Sequence, residues 1–296
     1  MSYEYFLDNL IILLSKKLPT NYQITSETIM KNNGIFRDAI IIRPPERTIT
    51  PTIYLESHYQ NYKNGTSLDC IVDEILYFYT LNSKPPQSVF EHFHDFEFAK
   101  EYITFKIVHL DMNRDFLKHT AHIPFLDLAI VFCLLMRTTT SELSTAIINN
   151  ALLEKWDTTT SELYDIAFLN TPQKYPFSIR PLEDVLSEHF DDCLVDAPRL
   201  SNQLFLFTNS IQFLGAHVLL YEELLFDFAY KQNCDFYILP SSIHEVLLVP
   251  VSYFQEMERL KDMVISINQT DLSQDEILSN SIYLYSLEKR SISLVA

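Results

Sequence analysis

Glycine is nearly absent from this chain: Gly34, Gly65 and Gly215 are the only three in 296 residues. A backbone that turns sharply, takes positive φ or approaches a phosphate closely relies on glycine, because a Cβ would clash there. The Gly-rich phosphate loop, the dinucleotide fingerprint and the Gly-x-Ser-x-Gly nucleophile elbow all need clustered glycines. None of them can be built here, so the common nucleotide-dependent and α/β-hydrolase classes drop out. What remains is a chain whose 47% apolar residues supply a substantial core for one large domain or two ordinary ones.

The formal charge is -17, from 22 Lys and Arg against 39 Asp and Glu. The basic residues do not segregate, which disfavours direct nucleic-acid binding. The acids are dispersed among apolar residues, so they read as ordinary surface solvation, with an acidic decoy of nucleic acid as an alternative. Cys70, Cys133, Cys193 and Cys234 form no Cys-x-x-Cys pair and each has apolar neighbours, the pattern of buried, reduced thiols in a cytoplasmic protein. The N-terminal stretch carries acids where a signal peptide has a basic region. The longest apolar run, Leu128 to Met136, is about half a membrane crossing. The expectation is a cytoplasmic protein with no membrane association.

Periodicity gives the elements. Residues 3 to 17 space their apolar groups as an amphipathic helix, stopped by Pro19. Two strand-like runs, Tyr22 to Met30 and Ile35 to Ile42, flank Lys31-Asn32-Asn33-Gly34, a strong hairpin signal because Asn and Gly tolerate positive φ. Thr52 to Leu55 adds a third strand, and Ser67 to Leu81 a helix with Leu68, Ile71, Val72, Ile75, Leu76 and Tyr79 inward. Phe90 to Lys100 reads as a helix and Tyr102 to Leu110 as a strand. Asp111 to Thr120 is polar enough to join two modules, an N-terminal one over 1–115 and a C-terminal one over 116–296.

Further along, Phe125 to Met136 fits a buried strand and a buried helix alike. The hexapeptide Thr-Thr-Thr-Ser-Glu-Leu occurs at Thr138 and again at Thr158, and each copy contains a capping-box pattern. A short helix with a stop at Pro172 follows, then strands at Leu204 to Phe207 and Gly215 to Leu220, a helix over Glu222 to Lys231, another over Phe254 to Ile267, and a last strand Ile282 to Tyr285. Strands joined by hairpin-type links and interleaved with helices give an α+β fold, with mixed or antiparallel sheets in two modules.

The densest gathering of reactive side chains is Pro240-Ser241-Ser242-Ile243-His244-Glu245, between the apolar runs Phe236 to Leu239 and Val246 to Val251. Together with Lys31 to Gly34, Pro51 to Glu56, Leu163 to Ala167 with Asn170-Thr171-Pro172, and Leu278 to Tyr285, it resembles an uncharacterised bacterial family, the domain of unknown function 5688, common in anaerobic gut Firmicutes. The resemblance runs over nearly the whole chain. It implies a bacterial cytoplasmic protein of accessory genome content, and it carries over no catalytic residue.

The residues therefore speak for themselves. Ser242 and His244 are two apart and share a face if extended, with Glu245 following, so the three could serve as nucleophile, base and carboxylate. No donor set for an oxyanion is evident, and the bland alternative is that they tie the mouth of the hairpin. Ser241, Asn209 and Arg43 are candidate ligand contacts, with capping and ion pairing as their ordinary uses. In Glu91-His92-Phe93-His94-Asp95 the two histidines diverge on a helix, so a solvated helical face is read there, no metal site is expected, and no cofactor is called for. The reading that follows is a non-enzymatic binding protein with a protein partner, in a mobile-element or regulatory setting. The alternative is an unrecognised hydrolase or transferase using Ser242, His244 and Glu245.

Overall fold

The computed structural model describes residues 2–45, 50–82, 92–137, 143–189, 204–240, 242–253, 256–270 and 272–295. The chain forms two units, Met1–Asp95 with Met136–Ser144, and Phe96–Leu135 with Thr145–Ala296. The break thus comes after Asp95, where the sequence suggested 115. Asp111–Leu117 is a pair of short helical turns between two strands of one sheet, so its polarity marks a surface loop and not a linker.

In the first unit, Ser2 caps helix α1 (Tyr3–Lys17), its hydroxyl accepting from the Tyr5 amide at 3.3 Å. Phe6, Leu10 and Leu14, four apart, form the buried stripe of α1. Strands β1 (Gln23–Met30) and β2 (Phe36–Arg43) make an antiparallel hairpin. Asn33 and Gly34 at its tip take φ of 60 and 68, as the Asn-Gly pair predicts. Strand β3 (Thr52–Tyr54) completes a sheet ordered β1-β2-β3. Helix α2 (Glu56–Lys63) escapes periodicity because it buries no residue. Helix α3 (Leu68–Asn82) contributes Ile71, Val72, Ile75 and Tyr79 to a core shared with the α1 stripe and with Ile40 and Ile42. Each such side chain contributes about 1.5–3 kcal/mol.

The second unit opens with helix α4 (Phe96–Ala99), all that the described residues keep of the helix expected over Phe90–Lys100; His92 to Asp95 form a turn, and Phe90 and Glu91 lie outside the described residues. Strand β4 (Ile103–His109), helix α5 (Arg114–Leu117), β5 (His122–Phe125), β6 (Leu128–Arg137) and β7 (Leu143–Ile147) follow. The sheet order is β4-β6-β5, with β7 also on β6. The long apolar run is therefore a buried strand.

Helices α6 (Asn150–Trp156) and α7 (Thr160–Lys174) lead to β8 (Phe177–Pro181), α8 (Leu182–His189), β9 (Phe205–Asn209), α9 (Glu222–Gln232), β10 (Phe236–Leu239), β11 (Val246–Pro250), α10 (Met257–Thr270), β12 (Tyr283–Ser286) and β13 (Ser291–Leu294). The six strands order as β13-β12-β10-β11-β9-β8, each pairing antiparallel. The strands flanking the hexapeptide, β10 and β11, are thus the two central ones. Phe236, Ile238, Val246 and Leu248 face one core with Phe207, Tyr283 and Tyr285. Leu239 and Val249 face another with Leu260 and Val264 of α10. Covered on both faces, these strands are apolar at consecutive positions. Among the described residues, no helix is long and apolar enough to cross a membrane.

Two expected elements differ, each for a tertiary reason. Thr159 and Glu162 form the capping box of α7 read from the second Thr-rich copy, while Thr138 to Glu142 of the first lie outside the described residues. The helix then runs through Pro172 to Lys174 instead of stopping. A proline leaves the carbonyl four residues back without its helical donor. That carbonyl belongs to Phe168, and the Tyr221 hydroxyl donates to it at 3.0 Å.

Gly215–Leu220, expected as a strand, is a 3-10 helix. It is pressed so close to β9 and the hexapeptide that a Cβ on Gly215 would lie 2.2 Å from Thr208 Oγ1 and 2.4 Å from the His244 carbonyl oxygen. The Ala216 amide donates to the Ile243 carbonyl at 3.3 Å, so the segment docks on the turn and does not join a sheet.

Candidate functional site

The hexapeptide closes the β10–β11 hairpin after the last paired residues, Leu239 and Leu247. Ser241 lies outside the described residues. Its neighbour Ser242 is only 2% exposed. The turn is fastened to the segment before β12: the Ile243 amide donates to the Glu276 carbonyl at 2.9 Å, and the Ser279 amide to the Pro240 carbonyl at 3.0 Å. Ser242 Oγ accepts from the His244 amide at 3.0 Å, a local turn bond.

The imidazole of His244 also serves backbone. Its Nδ1 accepts from the Leu214 amide at 3.0 Å, which fixes the neutral tautomer protonated on Nε2. Nε2 lies 3.8 Å from Glu276 Oε1, beyond hydrogen-bond length, and the ring rests on Phe213 at 5.4 Å. Burial pushes the imidazole below its ordinary pKa, with Glu276 opposing. Burial pushes the Glu245 carboxyl up, the Ser242 hydroxyl pulls it back, and Glu276 adds to the rise.

Leu214 sits between two histidines. It takes the left-handed conformation, φ 53, gives its amide to His244, and its carbonyl accepts from His217 Nδ1 at 2.6 Å. The two rings therefore hold opposite tautomers on one residue. His217 is 2% exposed, and burial drives its pKa down to about 4 against the pull of the Leu214 carbonyl. Asn209 closes the same loop. Its Oδ1 accepts from the Ile211 and Phe213 amides at 3.2 and 3.3 Å, and its Nδ2 donates to the Phe213 carbonyl at 2.9 Å. Thr208 Oγ1 donates to the His244 carbonyl at 2.8 Å.

Ser242, His244, Glu245 and Asn209 thus meet in one node, but not as nucleophile and base. The Ser242 oxygen serves the His244 amide, while Nδ1 of the imidazole faces Leu214 and Nε2 faces Glu276. Arg43 belongs to the first unit, half-buried at the end of β2 and opposite Gln23. His92 and His94 are exposed in their turn, and no cluster of His, Cys, Asp or Glu suited to a metal occurs among the described residues. Cys133 is buried as expected, but Cys70 is exposed and Cys234 half-buried. The apolar neighbours of Cys70 face inward on α3 while the thiol lies on the other side. Cys193 is outside the described residues.

A second node was missed from the sequence. Asp127, in the β5–β6 turn, accepts hydrogen bonds from Ser279 at 2.8 Å, Ser281 at 2.9 Å and Tyr283 at 2.5 Å, with His109 Nε2 3.8 Å away. Burial first, and then Asp127, push the Tyr283 phenol far up. The signal was present: hydroxyls at 279, 281 and 283 alternate, so an extended segment turns all three to one side.

Both nodes fall inside one match, since a family model covers residues 3–287. The chain belongs to the DUF5688 family of unknown function. No curated protein and no solved structure matches it. Family membership assigns no residue a role, so the geometry alone must carry the chemistry. A cleft of about 310 Å³ also opens in the second unit, and no hexapeptide residue lines it.

Proposed function

We propose that this protein acts by binding a protein partner and not by turning over a substrate, in a bacterial cytoplasm and in the accessory or mobile-element setting that the family resemblance implies. The observation that carries the reading is a set of large apolar side chains in water on the two long helices of the first unit. Tyr5 and Ile12 on α1 are 52% and 50% exposed, and Tyr77 and Leu81 on α3 are 69% and 52% exposed. Seven and four residues apart, each pair lies along one stripe, opposite the buried stripe of its own helix. Single exposed apolar residues are ordinary, but rows of them, with tyrosine prominent, are the material of interfaces. The net charge of -17 favours a partner with a basic rim.

The alternative, catalysis by Ser242, His244 and Glu245, has in its favour a half-buried imidazole beside the Glu245 carboxyl, which burial pushes up. Against it weighs the engagement of both hydroxyl and imidazole with backbone amides. A crosslinked pull-down from the native host tests the preferred reading. Wild type is expected to recover a partner that the double variant Ile12→Glu, Tyr77→Glu loses, while the variant melts at the same temperature. Recovery of nothing by wild type under mild crosslinking overturns it.

A further inference from the structure

We propose that the cleft beside the β12–β13 hairpin binds a free α-amino acid with an apolar side chain. The site belongs to the second unit, goes beyond the partner-binding reading and does not depend on it. Its floor is greasy: Ile130, Leu219 and Leu225 line it and are 3%, 2% and 1% exposed. Its rim carries Glu222, the first residue of α9, and Arg290, at the tip of the hairpin. Both rim residues are exposed.

Tyr285 also lines the cleft. It is fully buried, and its hydroxyl has no hydrogen-bond partner. Folding rarely leaves such a group unsatisfied, so each instance asks for a reason. After burial, the charges that act on this phenol are Glu222 and Arg290, the two charged residues that line the same cleft. Arg290 is held by its guanidinium, stacked 3.9 Å from the Phe226 ring centre. Neither Arg290 nor Glu222 forms an ion pair with another described residue.

Two opposite charges on one rim, unpaired with each other, leave a cationic and an anionic contact side by side. A simple carboxylic acid would meet Arg290 but be repelled by Glu222, and a simple amine would have the reverse problem. A zwitterion satisfies both. Arg290 and the Tyr285 hydroxyl are donors and suit a carboxylate; Glu222 is acceptor-only and suits an ammonium. An apolar side chain then enters the floor. The volume of about 310 Å³ lies at the small end of the roughly 300–1,000 Å³ of ligand pockets, which suits a molecule of leucine or phenylalanine size.

Titration calorimetry on the full chain tests the proposal with L-leucine, L-phenylalanine, N-acetyl-L-phenylalanine, L-phenylalaninamide and L-glutamate. Saturable one-to-one binding of leucine or phenylalanine is expected, weakened roughly tenfold or more when either charge of the ligand is blocked. Glu222→Gln and Arg290→Met, the latter keeping the stem on Phe226, should each weaken it to a similar degree. Tyr285→Phe should weaken it several-fold while the ligand-free protein melts no lower. Absence of saturable binding to both apolar amino acids overturns the proposal, as does equal affinity for the blocked ligands or unchanged affinity in the two charge variants. None of these residues lies in the first unit, so the outcome is independent of the pull-down.

Discussion

The hexapeptide turn and the cleft both gather polar groups over an apolar floor, yet they differ in what those groups touch. At the turn, Ser242, His244, Asn209 and Thr208 each bond to backbone, either of the turn or of the 209–214 loop. At the cleft, the Tyr285 hydroxyl has no partner, and the two rim charges make no ion pair among the described residues. Reactive residue types are therefore a poor guide to a working surface by themselves. A group already bonded to backbone is holding the fold, and an unbonded buried one is a candidate for ligand.

The largest test of this contrast is Gly215→Ala. The added methyl would lie 2.2 Å from Thr208 Oγ1 and 2.4 Å from the His244 carbonyl, and the expected loss is about 3 kcal/mol or more in urea unfolding. A wild-type midpoint would show that the turn is not clamped as described.

Close behind is acid sensitivity. The folded pKa of His217 is lowered from 6.5 to about 4, so the unfolded chain takes up the proton first as pH falls. Stability is full above 6.5 and declines toward 4, by about 3 kcal/mol from this group. His244, also lowered, acts in the same sense. Glu245, raised, acts oppositely: its contribution is present in acid and fades as pH rises past its ordinary value. His217→Asn keeps a donor for the Leu214 carbonyl and should flatten the acid limb measured by denaturant titration at several pH values.

A smaller effect separates scaffold from catalysis. His244→Ala should cost about 2 kcal/mol by stranding the Leu214 amide, and Ser242→Ala about 1 kcal/mol. Two variants as stable as wild type would return the turn to the catalytic reading. The smallest effect is expected at the cleft, where Tyr285→Phe should change ligand-free stability by no more than about 0.5 kcal/mol, since the hydroxyl it removes bonds nothing. A large loss would show that the hydroxyl is structural, and the contrast between the two regions would fail.

The amino-acid order by itself determined what depends on neighbours in the chain. The α1 and α3 stripes, the Asn33-Gly34 turn, the Thr159–Glu162 capping box and the apolar β10 and β11 follow from periods of 3.6 and 2 and from local hydrogen bonds. Tertiary structure alone decided the rest. Pro172 does not end α7 because Tyr221, far along the chain, supplies the bond it removes. Gly215–Leu220 is not a strand because the turn and β9 crowd it. His244 serves Leu214, 30 residues earlier, and Asp127 collects Tyr283 from 156 residues away. Which partner a polar side chain finds is a matter of proximity after folding, and spacing along the chain does not encode it.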